Sequence, residues 1–451
     1  MVSPRHGASR DMEDHVGHVL IGERTLGATL SQSDGRLSLR IALGGGERLD
    51  LPEDGLVRFR AATGYFTLLG LHEGASRMLL GVAGSATVSV HHAIKSADFT
   101  SLDDIRSATW MLYVEDLPEI HHVNGFRQEF VFGHDGSAHV NWSYSSPGSV
   151  TLDCPTAGLQ VALGQDAKTS SETRDQAAMT FAYPMTVTFP EAVGLYDALP
   201  ILHRIRQFCS LMMGRVLDIE RVILRLPQEG RRSHDAEVFG VHPVKRSDRP
   251  GHRIAAFDDP AALATLLDTW LDRAGTLEEA IDLHFDALEK EDLGLPLRFQ
   301  QFVQAIEAAH CRSGAPVGEP INVDVVVETL RERGVAGGMI DRVRGMLAHA
   351  HEPGLRQRLR AYWDSLAPEL AVLRPDLRRN PFVDRLVVTR NFYAHGLDLS
   401  SEVLEREDLW DGTEFLKAVS HLVLLQAIGA DVSGVGQRML DERFVRFAIR
   451  A

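Results

Sequence analysis

Arg390 and His395 close the stretch NPFVDRLVVTRNFYAHG (380–396), and their types suit acid–base work beside an anion. An imidazole gives and takes protons near neutral pH, and a guanidinium is a permanent planar cation. Asn380 as N-cap, Pro381 in the first turn and Gly396 just past the end predict a helix of about four turns. Phe382, Val383, Leu386 and Val387 would then face a core. Five residues set the two candidates about 140° apart around the axis, so they do not stack directly, though the arginine stem can close the gap. Asn391 lies four residues before His395 on its face and could orient the ring, and the C-terminal end of the helix dipole favours a cationic imidazole. Spacing alone is weak. Arg-x4-His occurs three times, at Arg10…His15, Arg344…His349 and Arg390…His395, against about two expected by chance. Only the third has a polar residue after the arginine, a tyrosine (Tyr393) in the interval and a glycine stop. An exposed helix end with a capping histidine is the competing reading.

Other chemistry finds little purchase. His91-His92 and His121-His122 sit in strand-like sequence, where neighbours point to opposite faces and cannot share one ion. GVAGSA and ALGGGE lack the following helix and lysine of a phosphate cradle, and there is no GxSxG elbow. Cys154, Cys209 and Cys311 are far apart, without metal-ligand or CxxC spacing, and read as reduced thiols of a cytoplasmic protein. No metal or other cofactor is expected. The N-terminus lacks the order of a signal peptide, and HLVLLQAIGA (421–430) is too short to span a bilayer, so no membrane role is expected. A formal charge of −15 argues against broad adhesion to nucleic acid but leaves room for a local basic site. The arginines of LRQRLR (Arg356, Arg358, Arg360) and RPDLRRN (Arg378, Arg379) could form such a rim; solvated ion pairs are the alternative.

The elements that must position these residues fall into two halves of an α+β multidomain chain. Residues 1–190 are β-rich: LSLRIAL, VRFRAATGYFTLLGLH, SATWMLYVED, SVTLDC, LQVALG and AMTFAYPMTVTF alternate or run apolar between turn signals. FRQEFVFG-HDG-SAHVNWSY is the clearest hairpin, with Asp135-Gly136 as its turn and Phe130, Phe132, Val140 and Trp142 alternating; 165–177 reads as a polar loop. Many short strands at this spacing predict an antiparallel sandwich or open barrel. Residues 191–256 are mixed: a helix over EAVGLYDALPILHRIRQFCSLMMG that Pro200 kinks or starts, a strand over VLDIERVILRL, and a polar hinge at 228–253. From 257 to 451 the period is 3.6. Asp259-Pro260 opens one helix, Thr276 and Glu279 stand in capping-box register for a second, and Pro296 opens a third with Phe299, Phe302, Val303 and Ile306 as its stripe. Further helices are expected at 323–350, 355–373, 381–395, 411–429 and 434–448, making an α-bundle.

Arg390-Asn391-x3-His395 at the end of a late helix in such a bundle resembles the signature of the HEPN superfamily of metal-independent ribonucleases. A β-rich half followed by this bundle resembles the ApeA-like anti-phage HEPN proteins. GYFTLLGLH (64–72) is similar to a strand of their N-terminal domains, and RFQQFVQAIEAAHCR (298–312) to an early helix of their HEPN part.

The resemblance implies an endoribonuclease defence effector that cuts cellular RNA, with tRNA as one candidate substrate, by attack of the 2′-hydroxyl, leaving a 2′,3′-cyclic phosphate. It implies Arg390, His395 and Asn391 as catalytic residues, a homodimer through the HEPN part that pairs two such motifs, and an N-terminal domain that senses a phage-derived trigger or restrains the bundle. Tyr393 packs or stacks on a base, and Glu307 and His310, three apart on the early helix, are supporting partners or an ordinary polar face. Two other readings compete. One is a non-catalytic binding or sensor protein whose bundle only dimerises; the other is a β-sandwich carbohydrate enzyme, for which no carboxylate pair stands out.

Overall fold

The computed structural model describes residues 14–33, 35–44, 49–52, 55–77, 84–117, 126–132, 138–145, 148–173, 176–227, 233–241, 254–255, 259–290, 292–312, 322–348, 353–396 and 398–447. The Asp135-Gly136 turn, His121-His122, Arg10, His349 and most of the 228–253 hinge lie outside them. The chain divides into two compact units, Met1–Gly251 with Ala256–Asp272, and His252–Ala255 with Arg273–Ala451.

The first unit is antiparallel β. Strands β1 (His15–Ile21), β2 (Arg24–Ser33), β3 (Arg36–Leu43), β4 (Leu56–Ala61), β5 (Gly64–Arg77) and β6 (Gly84–Lys95) form a closed ring of ladders: β1–β2, β2–β3, β3–β6, β6–β5, β5–β4 and β4–β1. Of the sandwich or open barrel expected from the strand count, these six strands form a barrel, and it is closed because β5 pairs on both of its edges and leaves none bare. Alternation does what it should: along β3, Leu37, Leu39, Ile41 and Leu43 are buried. They meet Val19, Leu30, Phe59, Phe66 and Val88 in one apolar core. Closure needs Gly17, where a Cβ would lie 2.1 Å from the Arg60 carbonyl oxygen on the neighbouring strand.

The far end of β6 carries the sheet onward. After β7 (Arg106–Val114) come two small hairpins and the remaining strands. These are β8 (Phe126–Phe132) with β9 (Ala138–Tyr144), β10 (Val150–Cys154), β11 (Leu159–Leu163), β12 (Asp166–Thr173) with β13 (Gln176–Ala182), and β14 (Pro184–Gly194). Helix α1 (Leu195–Met213) precedes β15 (Ile219–Leu226) and β16 (His234–Phe239), and β16 joins β6 so that the order continues β6-β16-β15-β7-β14-β11-β10. The β8–β9 hairpin forms as its alternation predicted, pairing Phe130 with Val140. The 165–177 segment is mostly strand rather than loop, since a run such as KTSSET has β-tolerant threonines but no apolar alternation to announce it. Pro200 lies inside α1, whose N-cap is Gly194.

Helix α2 (Pro260–Arg273) begins where the 3.6 period does, with Asp259 accepting from the Ala261 amide (3.0 Å), yet it packs with the β unit. Trp270 is fully buried and its indole donates to Arg204 O (2.8 Å), while Asp268 accepts from the Thr156 and Ala157 amides in the β10–β11 turn.

The second unit is helical: α3 (Glu278–Glu289), α4 (Leu295–Arg312), α5 (Val323–Glu332), α6 (Gly337–Ala348), α7 (Leu355–Ser365), α8 (Ala367–Leu373), α9 (Arg379–His395), α10 (Arg406–Ala427) and α11 (Val435–Asp441). Helix α10 runs through the middle, buried nearly all round from Leu409 to Leu425, and packs on α3 and α4. The α4 stripe of Phe299, Phe302, Val303 and Ile306 is wholly buried, as its period predicted. Caps were less legible. Leu277, not Thr276, is the N-cap of α3, and α9 starts at Arg379, which puts Asn380 inside the first turn. Two expected helices are each broken in two, at Gly334 (φ +70°) and at Leu366.

Candidate active site

Helix α9 is seated by its apolar face. Phe382, Val383 and Leu386 are buried, Val387 is half-buried, and Phe382 meets Phe415 of α10 edge-on at 5.1 Å. Thr389 is fully buried, donating to Arg385 O (2.7 Å) and accepting from Leu404 N (2.8 Å), so it pins the returning chain against the helix. Gly396 ends the helix in the left-handed conformation (φ 60°, ψ 38°), its amide bonded to Phe392 O at 2.9 Å. This stop leaves His395 exposed on the last turn and Arg390 half-buried just before it.

Arg390 points Nη2 at Glu307 Oε2 of α4 (3.5 Å) and Nη1 at Asn391 Oδ1 (3.4 Å). Glu307, singled out in the sequence only by its place on the early helix, thus stands beside the candidate arginine. Asn391 offers its carboxamide oxygen to the Arg390 guanidinium. Tyr393 is half-buried and packs edge-on against Phe392 (4.9 Å, 71°). Burial, and then the charge of Glu405, push its phenol pKa up, keeping the hydroxyl a donor. His310 is buried, its ring edge-on to Tyr362 at 5.5 Å, and burial followed by the Arg358 charge lowers its pKa. That favours the neutral imidazole.

The five arginines proposed as a phosphate rim are largely engaged. Arg356 Nε and Arg360 Nη2 share Asp384 Oδ1 (2.8 and 3.1 Å), and Arg379 pairs with Asp364. Arg358 donates to Pro353 O (2.7 Å) and Cys311 Sγ (2.9 Å) and reaches Glu307 O at 3.5 Å. Arg378 is the exposed N-cap of α9. Sequence reasoning missed Asp384 and Thr389, both on α9 itself. An acidic residue one turn into a helix that follows an arginine-rich one was the available signal for Asp384.

Elsewhere, His91 packs on His72 (4.6 Å between rings) and His92 on Tyr196 (6.1 Å), each turned to its own partner as strand neighbours should be. Burial raises the thiols of Cys154 and Cys209 to about 12, which makes them poor nucleophiles. Among the described residues, no helix is long and apolar enough to cross a membrane.

Comparison with known families fits this architecture. The family described as ApeA N-terminal domain 1 matches residues 46–257, covering most of the β unit, and the family described as Apea-like HEPN matches 301–433, from α4 to just before α11. The chain is an ApeA-type HEPN protein. The HEPN match contains Glu307, Arg390, Asn391 and His395, so the whole candidate cluster belongs to that part of the ApeA-type chain. No curated protein and no solved structure matches it.

Proposed function

We propose that this ApeA-type HEPN protein is an anti-phage effector whose helical unit is an endoribonuclease acting on cellular RNA without a metal. The observation that carries the reading is the end of α9, where an exposed imidazole (His395) follows a half-buried guanidinium (Arg390) whose side-chain partners are Asn391 and Glu307. The Arg390–Glu307 pair, at 3.5 Å and still partly exposed, is worth only about 0–1 kcal/mol, so an incoming phosphate can replace the carboxylate. The same holds for Arg356, Arg360 and Arg379, which can turn from their carboxylates to neighbouring phosphates.

In the proposed step one imidazole takes the proton of a ribose 2′-hydroxyl. O2′ then attacks the adjacent phosphorus, and the bond from phosphorus to O5′ breaks as a second imidazole protonates O5′. The products are a 2′,3′-cyclic phosphate and a 5′-hydroxyl. Arg390 holds the charge of the pentacoordinate phosphorane; Asn391 positions its guanidinium, and Glu307 holds it until RNA arrives. One chain offers one His395, so two copies must meet for both proton carriers to be present. In this reading the β unit senses the infection or restrains the bundle.

Cells producing Arg390→Ala or His395→Ala should survive where the parent chain arrests growth. Purified variants should cleave RNA at least about 10²-fold more slowly in chelator, with cyclic-phosphate ends found only for the parent. Equal activity of both variants and the parent sinks the proposal.

A further inference from the structure

Strands β1 to β4 carry five charged side chains, and all five are arginines: Arg24, Arg36, Arg40, Arg58 and Arg60. In a chain of net charge −15 that is a local reversal of sign. Alternation decides where four of them point. Leu37, Leu39, Ile41, Val57 and Phe59 face the barrel core, so the arginines between and beside them stand on the outer wall, and all four are exposed. Among the described residues no carboxylate pairs with Arg36, Arg40 or Arg60. Asp98 lies 3.9 Å from Arg58, a solvated contact that an incoming phosphate can replace.

The ladders gather these cations into one strip. Arg40 of β3 stands opposite Thr29 of β2, and His18 of β1 stands between Gly27 of β2 and Arg60 of β4, which in turn faces Tyr65 of β5. From β3 to β4 is three strand spacings, about 14 Å. Gly27 and Ala42, both exposed, keep the floor flat; a Cβ at Gly27 would meet nothing within 4 Å. At the end of the strip the Arg60 guanidinium lies over the Tyr65 ring, 5.1 Å from its centre, and the tyrosine stays 47% exposed. Cations without carboxylate partners suit phosphates, and an exposed ring suits a base, since every base has a π-face. An acidic peptide would use the arginines but neither the ring nor the bare floor. We infer that this outer wall of the barrel, from β3 across β2 and β1 to β4 and Tyr65, binds single-stranded RNA, with phosphates on Arg40 and Arg60 and a base on Tyr65. Small barrels that bind single strands take about 4–16 nucleotides, which suits a strip of this width. The inference rests on the ribonuclease reading for its purpose, a hold on RNA apart from the cutting residues, but the binding itself needs no cleavage.

Fluorescence anisotropy of a labelled single-stranded RNA of about 12 nucleotides tests this. The starting protein is the whole chain carrying Arg390→Ala/His395→Ala, so that the probe is neither cut nor held by the candidate catalytic residues. Adding Arg40→Gln/Arg60→Gln should weaken binding at least about tenfold. It should also lower the slope of log affinity against log salt by about 1.4, two phosphate contacts at about 0.7 each. Arg40→Lys/Arg60→Lys should keep the slope. Tyr65→Ala should weaken binding about tenfold at an unchanged slope, as the loss of one stacked base requires. All these changes fall on exposed positions, and an unchanged thermal unfolding curve confirms the fold. Unaltered RNA affinity in the glutamine variant overturns the inference. So does a polyglutamate of the same length that binds as tightly as the RNA and is lost in that variant, since the wall would then serve an acidic polypeptide. If the parent cuts no RNA while barrel-dependent binding persists, only the ribonuclease reading falls. If the parent cuts RNA and the glutamine variant binds like its starting chain, only this inference falls.

Discussion

The barrel and the helical unit solve the same packing problem with different materials. Inside the ring of β1 to β6 the core cluster is aliphatic and aromatic, set by period-two alternation. Around α10 the core includes charge. Arg374 bonds Asp411 (3.0 Å) and Asp376 and lies over Phe447, while Glu414 holds Lys417 (2.7 Å) and the Arg446 amide (2.8 Å). His284, fully buried, stands 2.8 Å from Ser420 and 3.4 Å from His421. An apolar core gains from every buried group and depends little on solution conditions. A buried ionic network gains little net free energy but makes each member expensive to lose. The contrast is between a barrel that tolerates its surroundings and a helical unit that responds to them.

Three substitutions or conditions sharpen that contrast, each read by hydrogen exchange resolved along the chain. Asp411→Ala should have the largest effect, about 3–5 kcal/mol, because it strips Arg374 of its buried partner. Exchange should speed through 355–447 while β1 to β6 stay protected; a uniform loss across both units would erase the distinction. Gly17→Ala should cost the barrel about 1–3 kcal/mol, since a methyl there meets the Arg60 carbonyl, and should loosen β1 and β4 with the helices unchanged.

The smallest effect comes with acid. Ser420 Oγ donates to Lys417 O (3.1 Å), so it accepts from His284 Nδ1, leaving His284 Nε2 to accept from His421. That chain requires a neutral ring. Burial, then the charges of His421 and Lys417, lower the His284 pKa well below its ordinary 6.5. A depressed histidine pKa means stability that is fully present above pH 6.5 and declines as pH falls below it toward the folded value. Protection of α3 and α10 should therefore weaken between pH 7 and 5, and His284→Gln should flatten the profile. A pH-independent α10 beside a pH-dependent barrel would reverse the expected order.

Much of the site was legible beforehand because its signals are local. Gly396 ends α9 because the left-handed conformation there favours glycine, and the stop fixes how far His395 extends. The α4 stripe could be read for the same reason: burial at Phe299, Phe302, Val303 and Ile306 follows from helical period. The caps of α3 and α9 slipped by one or two residues because neighbouring candidates compete and packing chooses among them. The partners of the arginine rim were less legible. Cationic type is visible in LRQRLR, whereas the carboxylates that engage it come from other stretches, such as Asp384 on α9 and Asp364 near the end of α7.

By itself the sequence determined most of the strands and helices, the halves they fall into, and the presence of an arginine and a histidine at one helix end. These follow from periodicity, turn chemistry and side-chain type, which act over a few residues. Only the tertiary structure decided that β5 closes the barrel, that α2 packs with the strands, and that Glu307 stands against Arg390 across 83 positions of chain. Those are meetings between distant segments. Their free energy depends on which surfaces remain after everything else has packed, and no local pattern carries that information.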